Sequence, residues 1–356
     1  MFVQKIHPQF CINGKHIVYQ DLPEVAYSFI KEGEDFEKAI GEFLLDWIDS
    51  NETLSVHTSG STGTPKVIGL KKEQMVNSAL ATGDFFQLKP GQTALNCLPV
   101  TYIAGKMMLV RALVLGLNIY LVPTSAKPLN FTDRIFDFGA MVPLQARNCI
   151  SNIHQIRTLL IGGAPIAPDL RMVLNKADSA IYETYGMTET ITHIAVKEMK
   201  PDQDAIFHAL PNVALSHDER GCLIIEAPNV SDAKVITNDM VELISPKAFK
   251  WLGRFDNVIN SGGVKLFPEL IEQKLSAIME VPFFISSIPN EKLGEKLVLV
   301  LENETNFDDI QQRLSSIKDL GPYEIPKEIF TIPKFERTES GKIKRTKTLK
   351  NALEQA

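Results

Sequence analysis

Cysteine is scarce in this chain. The four present, Cys11, Cys97, Cys149 and Cys222, are scattered, and no two stand close enough to read as a zinc-ligand or redox pair. That spacing fits small core residues in a reducing compartment. Long apolar runs are also missing. The longest, Met107 to Leu117, is interrupted by Arg111 and is too short to cross a bilayer. The first ten residues carry Lys5, His7 and Pro8, so no apolar signal core forms. There is no internal repeat, low-complexity segment or long linker. The net charge of −6 argues against nucleic acid or an anionic membrane surface as main partner. The expectation from these absences is a cytoplasmic protein with no membrane insertion.

What the chain does have is an apolar fraction of 44% over 356 residues. That is enough for two or three packed domains of about 150 residues each. After an irregular start, apolar spacing predicts helices over 36–48 and 71–87. Short apolar runs at 54–58, 93–98, 118–122, 138–142, 156–161 and 180–183 read as buried strands. Helical stretches at 105–115, 143–149 and 167–176 alternate with them. This alternation predicts an α/β layered domain with a largely parallel sheet. Residues 205–252 hold short β-like runs between turns. Beyond 253 a smaller α+β unit is expected, with strands at 257–260, 283–288 and 296–301, helices at 268–279 and near 307–317, and a basic tail. The expected domains are 1–253 and 254–356, joined by a compact hinge.

Three loops carry polar chemistry at strand ends. Thr58-Ser59-Gly60-Ser61-Thr62-Gly63-Thr64-Pro65-Lys66 offers hydroxyls, a cation and close-spaced amides that can nest an anion. It is not the common P-loop, because Gly60 and Gly63 are too close together and Thr64-Pro65 precede the lysine. Ile161-Gly162-Gly163-Ala164-Pro165 ends a buried strand with two glycines, against which a flat ring can lie. Tyr182-Glu183-Thr184-Tyr185-Gly186-Met187-Thr188-Glu189 ends the next strand. Ligands in open α/β sheets sit at the carboxyl ends of strands, so the last two loops border one crevice. There Tyr185 can stack on a base, Glu183 can accept from an exocyclic amine, and Glu189 can ligate Mg2+. Each loop taken alone is equally well a turn.

In this order the three loops resemble the adenylate-forming superfamily of acyl-CoA synthetases, adenylation domains and luciferases. The resemblance continues through Thr237-Asn238-Asp239, Gly253-Arg254-Phe255-Asp256, Asn260-Ser261-Gly262-Gly263 and Pro268 to the segment from Thr338 to Arg345, and spans about residues 54–347. It implies a large layered α/β domain followed by a small mobile α+β domain. It also implies an enzyme that uses ATP to activate a carboxylic acid as an acyl-adenylate and passes the acyl group to coenzyme A. Carried over residue by residue, Thr58, Ser59, Gly60, Ser61, Thr62, Gly63 and Lys66 would cradle the β- and γ-phosphates. Gly162, Gly163, Ala164 and Tyr185 would sandwich adenine, beside Glu183, Thr184 and Gly186. Thr188 would touch the α-phosphate and Glu189 would hold Mg2+. Asp239 would bind the ribose hydroxyls with help from Arg254, and Asp256 would be the hinge residue. Lys342 would reach the α-phosphate and the carboxylate. Gly262 and Gly263 would meet the pantetheine arm of coenzyme A once the small domain turns.

The stretch from Leu98 to Met108 matches the opening of the family's acyl helix. That places Tyr102, Gly105 and Lys106, with His193 from beyond the third loop, around the acyl pocket. Tyr185 to Thr190, Asn260 to Gly263 and Met141 to Gln145 together resemble the o-succinylbenzoate–CoA ligase branch of menaquinone synthesis most closely. That acid has two carboxylates, and the one not activated needs a cation or strong donors in a mostly apolar pocket. Lys106 and Arg111 lie in the right segment, and Lys106 is the one expected to meet that second carboxylate. A lysine near a helix start is ordinarily solvated, an arginine inside an apolar helix ordinarily makes a structural pair, and His193 is ordinarily a satisfied core residue. The chain also departs from the family pattern. The phosphate loop comes nearer the start than in full-length relatives, which implies an acyl pocket left open or completed by a second subunit, as in a homodimer. The usual Thr-Gly-Asp reads Thr237-Asn238-Asp239, where asparagine tolerates the positive φ of a turn. The first glutamate of Pro-x-Glu-Ile-Glu is shifted in Pro268-Glu269-Leu270-Ile271-Glu272, and Tyr102 stands where a histidine is common. Other readings stay open: another aryl- or acyl-CoA ligase, an enzyme that loads a carrier protein, or a silent nucleotide-binding regulator. Retention of Glu189 and Lys342 speaks against the regulator.

Overall fold

The computed structural model describes residues 6–57, 67–200, 205–276, 278–279, 281–303, 310, 313–314, 317, 320–337 and 343–355. The candidate phosphate loop, Thr58 to Lys66, and Lys342 lie outside the described residues.

A hairpin of β1 (Cys11–Ile12) and β2 (Lys15–His16) is followed by α1 (Leu22–Glu32) and α2 (Asp35–Ile48). Pro23 occupies the first turn of α1, where a missing N–H leaves nothing unpaired. Glu37 accepts from the Glu34 N–H at 2.9 Å and so starts α2. The next elements are a hairpin of β3 (Thr53–His57) and β4 (Val67–Lys71), then α3 (Lys72–Phe86), β5 (Thr93–Asn96) and α4 (Ile103–Leu115). α2 buries Ile40, Phe43, Leu44 and Trp47 in the same core as Met75, Val76, Met107 and Met108 of α3 and α4. The buried Lys72 ties α3 to the end of α2 through Asp49 at 2.7 Å. The first fifty residues, expected to begin irregularly, therefore supply a helical cover for α3 and α4.

The chain then adds β6 (Asn118–Leu121), β7 (Phe136–Met141), α5 (Pro143–Asn148), β8 (Ile156–Ile161), α6 (Pro168–Leu174) and β9 (Ala180–Gly186). Six strands follow: β10 (His193–Glu198), β11 (Ile206–Ala209), β12 (Ala214–His217), β13 (Cys222–Glu226), β14 (Val235–Ser245) and β15 (Ala248–Arg254). All but β3 and β4 join one 13-stranded sheet, ordered β12-β13-β14-β15-β11-β10-β9-β8-β7-β5-β6-β1-β2. From β1 and β6 through β9 the pairings are parallel, as expected where helices make the crossovers. From β9 onward every pairing is antiparallel. Short turns link β12 to β13 and β14 to β15 there, and short turns join only antiparallel strands.

A second, five-stranded sheet forms from β16 (Ile259–Ser261), β17 (Val264–Leu266), β18 (Phe283–Asn290), β19 (Gly294–Glu302) and β20 (Glu328–Ile332). Alternation along β18 and β19 feeds two cores. Ile285, Leu297 and Leu299 pack with Ile271 and Leu275 of α7 (Pro268–Leu275). Phe284, Val298 and Val300 pack with Phe335 and Ala352. Residues 345–355, expected within a basic tail, form a helix that buries Thr348 and Ala352. Arg345 at its start grips Glu272 of α7 with bonds of 2.7 and 2.8 Å. Charge density made this stretch look like a tail, while its small residues let it dock. Among the described residues, no helix is long and apolar enough to cross a membrane.

Candidate active site

Two of the three loops meet as expected. Ile161, the last residue of β8, pairs with Glu183 of β9 in parallel, so Gly162 to Ala164 and Glu183 to Gly186 lie side by side at the carboxyl ends of two central strands. Gly163 takes φ +82°, a conformation that favours glycine. Gly162 is required for space, because a Cβ there would stand 2.1 Å from Thr184 Oγ1. Gly186 is required for the same reason, with the Thr192 carbonyl 2.3 Å from its virtual Cβ. The third loop is bracketed by the β3–β4 hairpin, whose last pair is His57 with Val67.

Tyr185 is held rather than loose. Its hydroxyl donates to Asp239 Oδ2 at 2.7 Å, and its ring meets Phe249 edge-on at 5.1 Å. Burial first, then the Asp239 charge, push the phenol far above its ordinary range, so it stays a donor. Asp239 also accepts from Trp251 Nε1 at 3.2 Å and lies 3.8 Å from Arg254. The ring, the acid and the arginine thus form one wall beside the glycines.

Glu183 is not a free acceptor. Arg171 NH2 donates to its Oε2 at 2.5 Å, and Lys197 Nζ approaches the same oxygen at 2.8 Å. Burial would raise this carboxyl, but Lys197 and Arg171 hold it below its ordinary value. The partners come from α6 and from the antiparallel register of β10, where Lys197 lies opposite Glu183. Local sequence carries no signal of either.

Glu189 is different. It sits with Thr188 on a short turn, Thr188–Thr190, exposed and without a bonded partner among the described residues. The buried Thr190 hydroxyl accepts from the Met187 N–H at 3.2 Å and closes the turn. Ile191 then takes φ +64°, which for a β-branched residue stores backbone strain. Among the described residues no three metal-ligating side chains cluster.

The acyl-segment residues separate. Tyr102 is half exposed at the start of α4. Gly105 packs where a Cβ would stand 2.4 Å from the Pro99 carbonyl. Lys106 turns toward α2, its Nζ 5.2 Å from the Phe43 ring centroid. Burial lowers its ammonium, while Asp46 and Glu42 pull the other way. Arg111, further along α4 and on another face, points between α3 and β10. It is 2% exposed. Its Nε donates to Thr82 Oγ1 at 3.3 Å, NH2 to His193 Nδ1 at 3.4 Å, and NH1 reaches Met108 Sδ at 3.7 Å. His193 Nε2 meets Thr82 Oγ1 at 3.3 Å. Arginine can only donate, so Nδ1 accepts and the proton sits on Nε2. Burial and then Arg111 push His193 well below its ordinary value, leaving it neutral. A cleft of about 180 Å³ opens beside His193, between α3 and the Leu210–Val213 loop.

Asn238 does not enter the left-handed region; it lies within the strand β14. Gly262 and Gly263, at φ +59° and +83°, form the exposed two-residue turn between β16 and β17. Asp256 is bonded by Arg254 and Asn238, each at 3.4 Å. Arg337 and Ile343, which flank the Lys342 segment, pair as an antiparallel bridge.

A family model for AMP-binding enzymes matches residues 8–216, more than half of the chain. The chain belongs to the AMP-binding enzyme family. A solved acyl-CoA synthetase (AMP-forming)/AMP-acid ligase II-like protein from Dyadobacter fermentans is 36% identical, with a TM-score of 0.63 over 93% of this chain and 98% of its own. The 2-succinylbenzoate–CoA ligase of Listeria monocytogenes is 26% identical across 94% of this chain and 75% of its own length. An o-succinylbenzoate coenzyme A synthetase from Bacillus subtilis, solved with ATP and magnesium ion, is 20% identical, with a TM-score of 0.70 over 83% of this chain and 69% of its own. At that identity the likeness is one of fold. By family this is an adenylate-forming, AMP-forming acyl-CoA ligase.

One prediction follows from packing in this family member. Gly162→Ala should destabilise the fold by about 1–3 kcal/mol, the usual cost of overpacking. Thr184→Ala removes the Oγ1 that the new methyl would strike, and the Thr184 Cβ is 3.5 Å away, an ordinary contact. The double mutant should therefore regain most of the loss in urea unfolding. No recovery would mean that Gly162 is needed for its backbone.

Proposed function

We propose that this ligase activates o-succinylbenzoate as its acyl-adenylate and transfers the acyl group to coenzyme A. Arg111 carries the choice of acid. It is fully buried, and no carboxylate pairs with it among the described residues. Burial brings its pKa down to about 10, so it remains charged at neutral pH. An unpaired buried charge is costly, and among the described residues only three of its five N–H groups find a partner. It projects from α4, the helix capped by Tyr102, toward α3 and the strand that begins just after the Glu189 turn. An acid with a second carboxylate would bring the missing counter-charge. The similarity to ligases named for 2-succinylbenzoate supports the same acid.

The remaining roles follow the chemistry. A carboxylate is a poor electrophile and repels ATP. Gly162, Gly163, Ala164 and Tyr185 would hold adenine, Asp239 the ribose, and the Thr58 to Lys66 loop the outer phosphates. Glu189 would hold Mg2+, which supplies charge neutralisation on the phosphates. Lys342 would neutralise the charge that builds on the α-phosphate and the attacking carboxylate. Residues 254–356 would then turn on Asp256 and bring Gly262 and Gly263 to the pantetheine arm.

Pyrophosphate release across a panel of carboxylic acids, with and without coenzyme A, tests this reading. We expect a single burst with o-succinylbenzoate alone and steady turnover once coenzyme A is added. Preference for benzoate or a long-chain acid would overturn the substrate and leave the ligase. Nucleotide binding with no release from any acid would favour a silent regulator.

A further inference from the structure

Three segments meet at Arg220: the turn that carries it, the Thr237–Asn238 part of β14, and Phe255–Asp256 just beyond β15. Its guanidinium is engaged on every nitrogen. Nε donates to Asp218 Oδ2 at 2.8 Å, NH1 to Asn238 Oδ1 at 3.1 Å, and NH2 to the Thr237 carbonyl at 3.2 Å. The guanidinium carbon lies 5.0 Å from the Phe255 ring centroid. Asn238 Nδ2 donates onward to Asp256 Oδ2 at 3.4 Å. A glycine at position 238, the residue usual in the resembling family, could make neither bond. The asparagine is therefore not a tolerated turn residue but a link between the large sheet and the segment that leads to the small one.

The other side of that segment is also gripped. Asn257 Nδ2 donates to Glu269 Oε1 at 2.5 Å. The second Glu269 oxygen is buried and has no hydrogen bond among the described residues, and it sits 2.4 Å from a virtual Cβ on Gly253. A hinge works because a few residues absorb a change in φ and ψ. For residues 255–257 to do so, the Arg220 contact with Phe255 and the Asn238 bond to Asp256 must give way. Each contact is exposed and individually weak, so together they would tune the motion without locking it.

We propose that Arg220 and Asn238 clasp the Phe255–Asp256 segment and set how readily the small unit turns. The inference rests on the reading of Asp256 as the pivot between the two half-reactions. Both are positioning residues and touch no substrate. Asn238→Gly removes the link, and Arg220→Met keeps the stem but removes the fork. Amide hydrogen exchange in the full-length chain reads the clasp directly. Exchange across residues 253–258 should quicken about two- to fivefold in each variant, the scale of one exposed charged contact. Exchange in β8 and β9 should not change. The ratio of single-turnover adenylation to thioester formation should shift by a similar factor, with KM for ATP unchanged. Unaltered exchange at 253–258 in both variants would overturn the clasp. So would faster exchange spread through β12 to β15, since Arg220 would then merely hold the sheet. Faster hinge exchange with an unchanged ratio would overturn its control of turning. A wild-type chain that adenylates no acid would instead overturn the proposed function, and the exchange data would still decide the clasp.

Discussion

Lys342→Ala should slow adenylate formation by more than about a hundredfold and leave thioester formation from supplied acyl-adenylate nearly intact. The first half-reaction brings an anionic carboxylate to a polyanion, and negative charge concentrates on the α-phosphate oxygens as the new bond forms. A positioned cation there acts mainly in the transition state, and removing a comparable donor costs about 3–4 kcal/mol. The second half-reaction begins from a mixed anhydride that already has a good leaving group, so it has far less need of the cation. Rapid-quench measurement of each half-reaction separates the cases. Equal losses in both would assign Lys342 a structural role in the segment between Arg337 and Ile343. Loss confined to the thioester step would remove it from adenylation altogether.

The parallel part of the fold was legible because its strands are built around short buried apolar runs. The run Ile156–Ile161 buries four of its six side chains on a strand covered on both faces, and such runs separated by helices leave few topologies. α1 was missed although its signal was present: Leu22, Val25, Ala26 and Phe29 share one face. Pro23 reads as a breaker until it is recognised as a first-turn residue. The candidate site was legible where it rests on backbone, as at Gly162, Gly163 and Gly186, since close approach leaves glycine in the sequence. It was not legible where side chains meet across distant elements. Glu183 has the composition of a free acceptor, yet Lys197 and Arg171 reach it through strand register and helix placement. Lys106 and Arg111 stand on the same helix five residues apart, roughly 140° around its axis at 3.6 residues per turn. Which of the two faces α2 and which faces β10 depends on the N-terminal helical cover, which the local spacing does not disclose.

Arg111→Met should raise KM for o-succinylbenzoate by roughly ten- to a hundredfold, as expected when a charge-assisted hydrogen bond of about 1.5–3 kcal/mol is lost. Methionine keeps much of the apolar stem and removes the charge. The protein should stay folded, because replacing a buried charge that lacks an acidic partner also relieves a desolvation cost. Thermal unfolding in the absence of acid checks that point. The decisive comparison is an analogue that keeps the succinyl arm but lacks the aromatic carboxylate. Wild type should bind it poorly, and the mutation should hardly change its KM, because the anion that Arg111 would meet is absent. Lys106→Met supplies the contrast: with its ammonium over Phe43 and near Glu42 and Asp46, its loss should leave discrimination between the two acids within about twofold, because its charge is already met from the α2 side. If Arg111→Met lowers kcat/KM equally for both acids, Arg111 only braces His193 and Thr82. If Lys106→Met abolishes the discrimination and Arg111→Met does not, the second carboxylate is bound from the α2 side of the helix.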